Sequence, residues 1–174
     1  MNGPYKLLTR GLVTGLCGAA AVAAWFFLLD LLADRPFRTP AALGSALLFG
    51  ASSPEGIELT FRVVAAYTVV HVLAFAVAGV LFLWIAQQIE RSSSLLLLTI
   101  PFAIALEAVV VTLLAIRADW VLGGLGVASV LAANLVAVLA MGWYVWRTHP
   151  ALRHGGGAAP VKPQREGGGV TGRP

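Results

Sequence analysis

Four long apolar segments restrict the folds that are open to this sequence. They cover approximately residues 11–33, 61–86, 95–116 and 120–146. A helix needs about 20 residues to cross a hydrocarbon layer of about 30 Å, so each segment is long enough to span a bilayer. Lipid offers the backbone no hydrogen-bond partner, and the alternating short strands of a β-barrel are absent, so only helices suit these segments. The sequence therefore predicts an all-α membrane protein, a bundle of four transmembrane helices.

Composition excludes the main soluble classes. Hydrophobic residues make up 59% of the chain and charged residues 11%, too little polar surface to cover a soluble globule of 174 residues. The net charge of +4 comes from basic residues beside the apolar segments and near the C-terminus, which is typical of topology signals rather than of a nucleic-acid surface. We expect the bilayer as partner, with another membrane protein or a second copy of the chain, and no nucleic acid.

The basic residues also predict an orientation. Four of them fall on one side of the predicted bundle, namely Arg35, Arg38, Arg62 and Arg117. Eight fall on the other side, namely Lys6, Arg10, Arg91, Arg147, Arg153, Lys162, Arg165 and Arg173. Basic residues concentrate on the cytoplasmic side, so we expect a multi-pass protein of the bacterial cytoplasmic (inner) membrane with both termini in the cytoplasm. The first apolar run continues through residues 25–29 and is long enough to remain as an anchor, so no cleavage is expected.

The connector between the first two segments, residues 34–60, contains an apolar piece of its own. Thr39 suits the N-cap of a helix, Pro40 suits its first position, and Gly50 suits its end. A helix of roughly ten residues cannot cross the bilayer, so we expect an interfacial or re-entrant helix on the outer face. It could cover the bundle as a lid or lie on the surface as a linker, and both alternatives stay open. Residues 1–152 are then the transmembrane domain, and the Gly- and Pro-rich residues 153–174 a disordered cytoplasmic tail.

Polar side chains within a span are costly and commonly mark a functional site. With a rise of about 1.5 Å per residue, three of them fall within roughly 4 Å of the bilayer midplane, each on a different helix. A fourth lies about 12 Å outward, and a tyrosine one helical turn from the histidine lies between the two levels. These candidate site residues are His71, Glu107 and Asn134 at the midplane, Asp30 nearer the outer face, and Tyr67 between them.

Two interpretations of this cluster remain open. A buried carboxylate beside a histidine suits proton coupling or the transport of a small solute, and His71 with Glu107 could also ligate a metal. Alternatively, the three midplane side chains hydrogen-bond to one another and hold the helices together. In that case the chain is a non-catalytic accessory or structural subunit of a membrane complex.

Several cofactor and enzyme classes fit poorly. The single cysteine, Cys17, excludes an internal disulfide and dithiol chemistry. A bis-histidine haem needs two facing histidines, and only His71 lies at membrane depth. The run from Gly123 to Gly126 lacks the context of a nucleotide-binding loop and favours close packing at the start of the fourth helix. No nucleophile and base are paired, so an enzyme is not expected and no cofactor is predicted.

One family resemblance rests on loosely spaced motifs between about residues 10 and 152. They are Trp25-Phe26, Asp30, Pro36, Thr39-Pro40, Leu43-Gly44, Tyr67-x-x-x-His71, Glu107 and His149-Pro150. In these the chain resembles a group of small, uncharacterised bacterial membrane proteins with four spans. The resemblance implies the four-span architecture, and it implies no activity.

Overall fold

Every regular element that the structure describes is helical. The structure is a computed structural model, and it describes residues 4–91, 111–112, 115–116 and 119–148. Its elements are α1 (Pro4–Leu32), α2 (Arg38–Phe49), a 3-10 turn (Pro54–Gly56), α3 (Phe61–Arg91), α4 (Asp119–Leu125) and α5 (Val127–Thr148). The all-α prediction is confirmed for this part of the chain.

Three of these helices are long and apolar enough to cross a membrane, against the four spans predicted. They are Leu7–Leu32, Phe61–Gln88 and Val127–Thr148. The predicted segment 95–116 lies outside the described residues except at 111, 112, 115 and 116, which are helical, and the predicted tail lies outside them entirely. Large apolar side chains stay exposed along all three helices, among them Leu28, Leu73, Val77, Leu135 and Leu139. Lipid would cover such surfaces, so the described part is a helical membrane bundle.

The closest packing in the bundle joins α1 to α3. Gly11 and Gly15 on α1 face Gly79 and Val80 on α3, and all three glycines are buried. A Cβ at Gly15 or Gly79 would overlap main-chain atoms of the opposite helix. The sequence carries the matching signal, because two glycines four residues apart form a Gly-x-x-x-Gly motif that permits close helix approach. The Gly11–Gly15 pair was not among the residues predicted to pack.

Helix α5 packs on another side of α1. Val22 of α1 forms a buried apolar cluster with Ala133 and Ala137 of α5, and Trp25 and Phe75 pack around it. The small side chains on α5 let the larger ones on α1 fill the interface, which is the usual arrangement for helices in lipid. Helix α1 is therefore the central helix of the described bundle, with α3 and α5 packed against it.

The short helix predicted between the first two spans is present as α2. It ends at Gly50, whose left-handed φ of 76° fits the predicted terminator, and the amide of Gly50 donates to Ser45. Its start differs from the prediction, because the helix begins at Arg38 and its N-cap position is Phe37. Residues 41–46 are buried against α3 and α4, and the following loop is fixed where the Glu58 amide donates to Ser45 Oγ at 3.0 Å. In this structure α2 packs against the N-terminal part of α3 and against α4.

The last predicted span, 120–146, forms two helices. Gly126 separates α4 from α5 with a φ of 76°, a left-handed conformation that costs glycine little. Among the described residues, nothing lies within 4 Å of a Cβ built at Gly123, Gly124 or Gly126. No described residue packs against this glycine run, so the expectation of close packing there stays a prediction. Gly126 allows a break in the helix.

The glycine contact generates a stability prediction. Replacing Gly15 by Leu should lower the free energy of unfolding by at least about 1–3 kcal/mol, because the new side chain must force α1 away from α3. Ala20 lies on an exposed face of the same helix, so Ala20→Leu is the matched control and should change little. Unfolding of the purified variants in detergent, followed by circular dichroism, measures both. Equal stability of the two variants would contradict the close helix contact.

Candidate functional site

A cavity of about 370 Å³ lies between α1, α2 and α3. Its volume falls in the usual range of small-molecule sites, about 300–1,000 Å³. Its walls are mostly apolar, and four lining residues carry polar groups: Thr39, Tyr67, Thr68 and His71. The apolar walls come from Val22, Ala23, Ala24, Phe26, Phe27, Phe37, Pro40 and Val64. The cavity can therefore hold a hydrocarbon group and offers few polar contacts.

His71 lies at the end of this cavity nearest the middle of α3. Its Nε2 is 3.3 Å from the carbonyl oxygen of Ala19, in the middle of the first candidate span. A carbonyl can only accept, so this nitrogen carries the hydrogen and donates it to α1. The ring also stacks against Tyr67 at a centroid distance of 5.7 Å and packs against Phe75 at 4.8 Å. His71 is thus a bridge between α3 and α1 as well as a cavity wall.

Asp30 lies near the C-terminal end of α1 and is buried. One carboxylate oxygen accepts a hydrogen bond from the Thr39 amide at 2.8 Å, and the other accepts from the Thr39 hydroxyl at 2.7 Å. Thr39 is the second residue of α2, and the N-cap residue Phe37 makes no side-chain capping bond. Asp30 therefore does for α2 what an N-cap side chain normally does, although it belongs to α1.

The structure brings three of the predicted site residues to this region. Tyr67 and His71 lie one turn apart on α3, and Asp30 reaches the same cavity through Thr39. Asn134 lies half-buried on α5, next to the residue that packs against α1. Glu107 lies outside the described residues. The meeting of His71, Glu107 and Asn134 at one depth therefore stays a prediction.

Two features of the site were not anticipated. Thr39 was assigned to the N-cap of α2, but it donates to Asp30, nine residues earlier in the chain. The aromatic wall was also missed, in which the rings of Phe27 and Phe37 lie 5.1 Å apart. The sequence holds a partial signal for the cavity, because Ala23 and Ala24 are small residues directly before bulky aromatic ones.

The described part of the site contains no cluster of metal-binding side chains. Among residues 4–91 and 119–148, no group of three histidine, cysteine or acidic side chains is close enough to hold an ion. The predicted pair of His71 and Glu107 includes one residue beyond the described ranges. The chemistry that the described cavity does offer is hydrophobic contact with a few hydroxyl groups and one imidazole.

The Asp30–Thr39 pair generates a second prediction. Replacing Asp30 by Ala should lower the free energy of unfolding by about 2 kcal/mol, because the start of α2 loses a charged acceptor and the Thr39 amide is left buried. Hydrogen exchange at residues 39–42 should speed up in the variant. Glu58→Ala is the control, since the Glu58 side chain is exposed in the loop between α2 and α3. Unchanged exchange in Asp30→Ala would show that α2 does not depend on this cap.

Comparison with known proteins identified no relative of this chain. No protein-family model matches the chain. No curated protein matches it, and no solved structure matches it. The functional conclusion is therefore built on the cavity and its residues.

Proposed function

We propose that this chain is a bacterial cytoplasmic-membrane protein that binds and transports a small lipid-soluble solute in the cavity between α1, α2 and α3. The observation that carries the proposal is the lining of that cavity, which is apolar except for Thr39, Tyr67, Thr68 and His71. Burial of apolar surface contributes about 25 cal/mol per Å², so such walls favour a hydrocarbon group over a hydrated ion.

The proposed topology has four spans and both termini in the cytoplasm. Three described helices are long enough to span, and segment 95–116 would supply the fourth crossing. An even number of crossings returns the chain to its starting side, and the distribution of basic residues favours the cytoplasm for that side. The cavity would then open in the outer half of the membrane, beneath α2.

A proton link belongs to the same proposal. Glu107 on the additional span would lie at the depth of His71, where a carboxylate and an imidazole can exchange a proton. His71 already lines the cavity, so protonation at this level could be coupled to occupancy by the solute. Asn134 would complete the level as a hydrogen-bonding side chain.

A structural role is the second candidate, and one observation favours it. His71 donates to the Ala19 carbonyl, and Asp30 is bound by Thr39 through both oxygens. Each bond joins two helices, as expected of polar residues that hold a bundle together. An accessory or structural subunit would need no more than this.

Filling the cavity tests the binding proposal. Ala24 lines the cavity and is exposed, so Ala24→Phe should occupy part of the volume without disturbing the helix contacts. We expect at least a tenfold loss of affinity for a neutral fluorescent fatty-acyl ester, measured by energy transfer from the tryptophans in detergent micelles. Ala20→Phe is the matched control, because Ala20 is exposed on the same helix and lines no described cavity. Equal affinities in the two variants would reject the cavity as a binding site.

Two polar substitutions separate transport from a structural role. For proton-linked transport, Glu107→Gln and His71→Ala should abolish solute-dependent proton flux in reconstituted vesicles while the protein stays folded. For a structural subunit, flux is absent from the unmodified protein, and His71→Ala costs about 0.6 kcal/mol of stability, the average for a hydrogen bond between membrane helices. Unchanged flux together with lost folding or assembly would reject the transport proposal.

A further inference from the structure

Two arginines lie next to residues that line the apolar cavity, and they have no acidic partner in the described part of the chain. Arg35 and Arg38 lie on either side of Phe37, in the connection from α1 to α2 and at the first residue of α2. Both are exposed, and both line a second cavity of about 250 Å³ together with Asp30 and Trp120. Neither arginine forms an ion pair in the part of the chain that the structure describes. Their guanidinium groups therefore have donors free for an acceptor from outside the protein.

The acidic side chain that lines the second cavity is already in use. Asp30 lines the second cavity, but each of its carboxylate oxygens accepts a hydrogen bond from Thr39. The carboxylate is buried, whereas the two arginines are exposed. Asp30 thus serves the start of α2, and the cationic surface beside it is not neutralised by a described ion pair.

The two cavities share a wall residue at the start of α2. Thr39 lines both of them, Phe37 lines the apolar cavity, and the arginines that flank Phe37 line the second one. The three consecutive residues Phe37, Arg38 and Thr39 thus bring an apolar volume next to a cationic one. A molecule that matches both must carry a hydrocarbon chain and an anionic group a short distance apart.

We propose that this site binds an anionic phospholipid, with an acyl chain in the apolar cavity and the phosphate at Arg35 and Arg38. The proposal names the ligand class of the site described above, and for the acyl chain it rests on the proposed function. Arginine suits the headgroup because its planar guanidinium can donate two parallel hydrogen bonds to a phosphate. Each basic residue near a lipid surface contributes about fivefold in affinity for an anionic headgroup.

A third arginine provides a matched control. Arg62 lies in the first turn of α3, also at the outer side, and is exposed. Its guanidinium carbon lies 5.4 Å from the centre of the Phe49 ring, and it lines neither described cavity. Arg62→Gln therefore removes the same charge as Arg35→Gln or Arg38→Gln without touching the proposed site.

Native mass spectrometry of the full chain released from detergent tests the headgroup. The protein is equilibrated with equal amounts of dioleoyl-phosphatidylglycerol and dioleoyl-phosphatidylcholine, which differ in net charge and share their acyl chains. We expect a preference for the anionic lipid on the order of tenfold or more. The double variant R35Q/R38Q should bring this preference close to one, and R62Q should leave it unchanged. Circular dichroism checks that the variants are folded.

The outcomes separate this inference from the proposed function. Equal retention of both lipids by the unmodified protein, or an equal loss of preference in R62Q, would overturn the headgroup assignment and leave the apolar cavity intact. A charge preference that persists while Ala24→Phe retains both lipids as well as the unmodified protein would reject the acyl-chain cavity. Displacement of the anionic lipid by millimolar inorganic phosphate, with phosphate itself retained, would identify a free anion as the ligand and overturn the lipid assignment.

Discussion

The close approach of α1 and α3 sets the geometry of the rest of the described bundle. The helices run antiparallel, and their backbones touch where Gly15 meets residues 75 and 76. One turn further along α1, Ala19 keeps them near enough for the hydrogen bond from His71. Beyond that point larger side chains follow on α1, and the apolar cavity lies between residues 22–27 and 64–71. The close glycine contact and the cavity are thus two parts of one helix crossing.

The cavity also depends on α2, whose first turn is held by Asp30, a residue nearby in the sequence. Burying a carboxylate is costly unless its oxygens are hydrogen-bonded, and Thr39 satisfies both oxygens of Asp30. The partners are nine residues apart, so the turn between α1 and α2 closes over a short stretch of chain. Gly44 then rests against Val63, where an added Cβ would lie 2.9 Å from the Val63 carbonyl oxygen. The two hydrogen bonds between Thr39 and Asp30 and the small residue Gly44 together hold α2 against α3.

The sequence predicts the helices of this protein far better than it predicts their contacts. Apolar length and the end signal at Gly50 are local properties, and they correctly indicate the helical class and the end of α2. The start of α2 was misplaced because its capping group lies in the preceding helix, at Asp30, where a local pattern does not reach. Depth along a helix indicated that His71 lies in the membrane, but it could not indicate that its partner is a backbone carbonyl. Which way a side chain turns depends on the crossing of two helices, and no single segment encodes that.

The break at Gly126 gives the two parts of the last apolar segment different roles. At 1.5 Å per residue, the 22 residues of α5 extend about 33 Å, enough to cross a hydrocarbon layer of about 30 Å without α4. The seven residues of α4 are therefore released from spanning, and Val121 packs instead with Leu43 and Ala46 of α2. Before the break the chain packs against α2, and after the break it packs against α1. Gly126 consequently lets one apolar segment of the sequence supply both a short helix against α2 and a full-length spanning helix against α1.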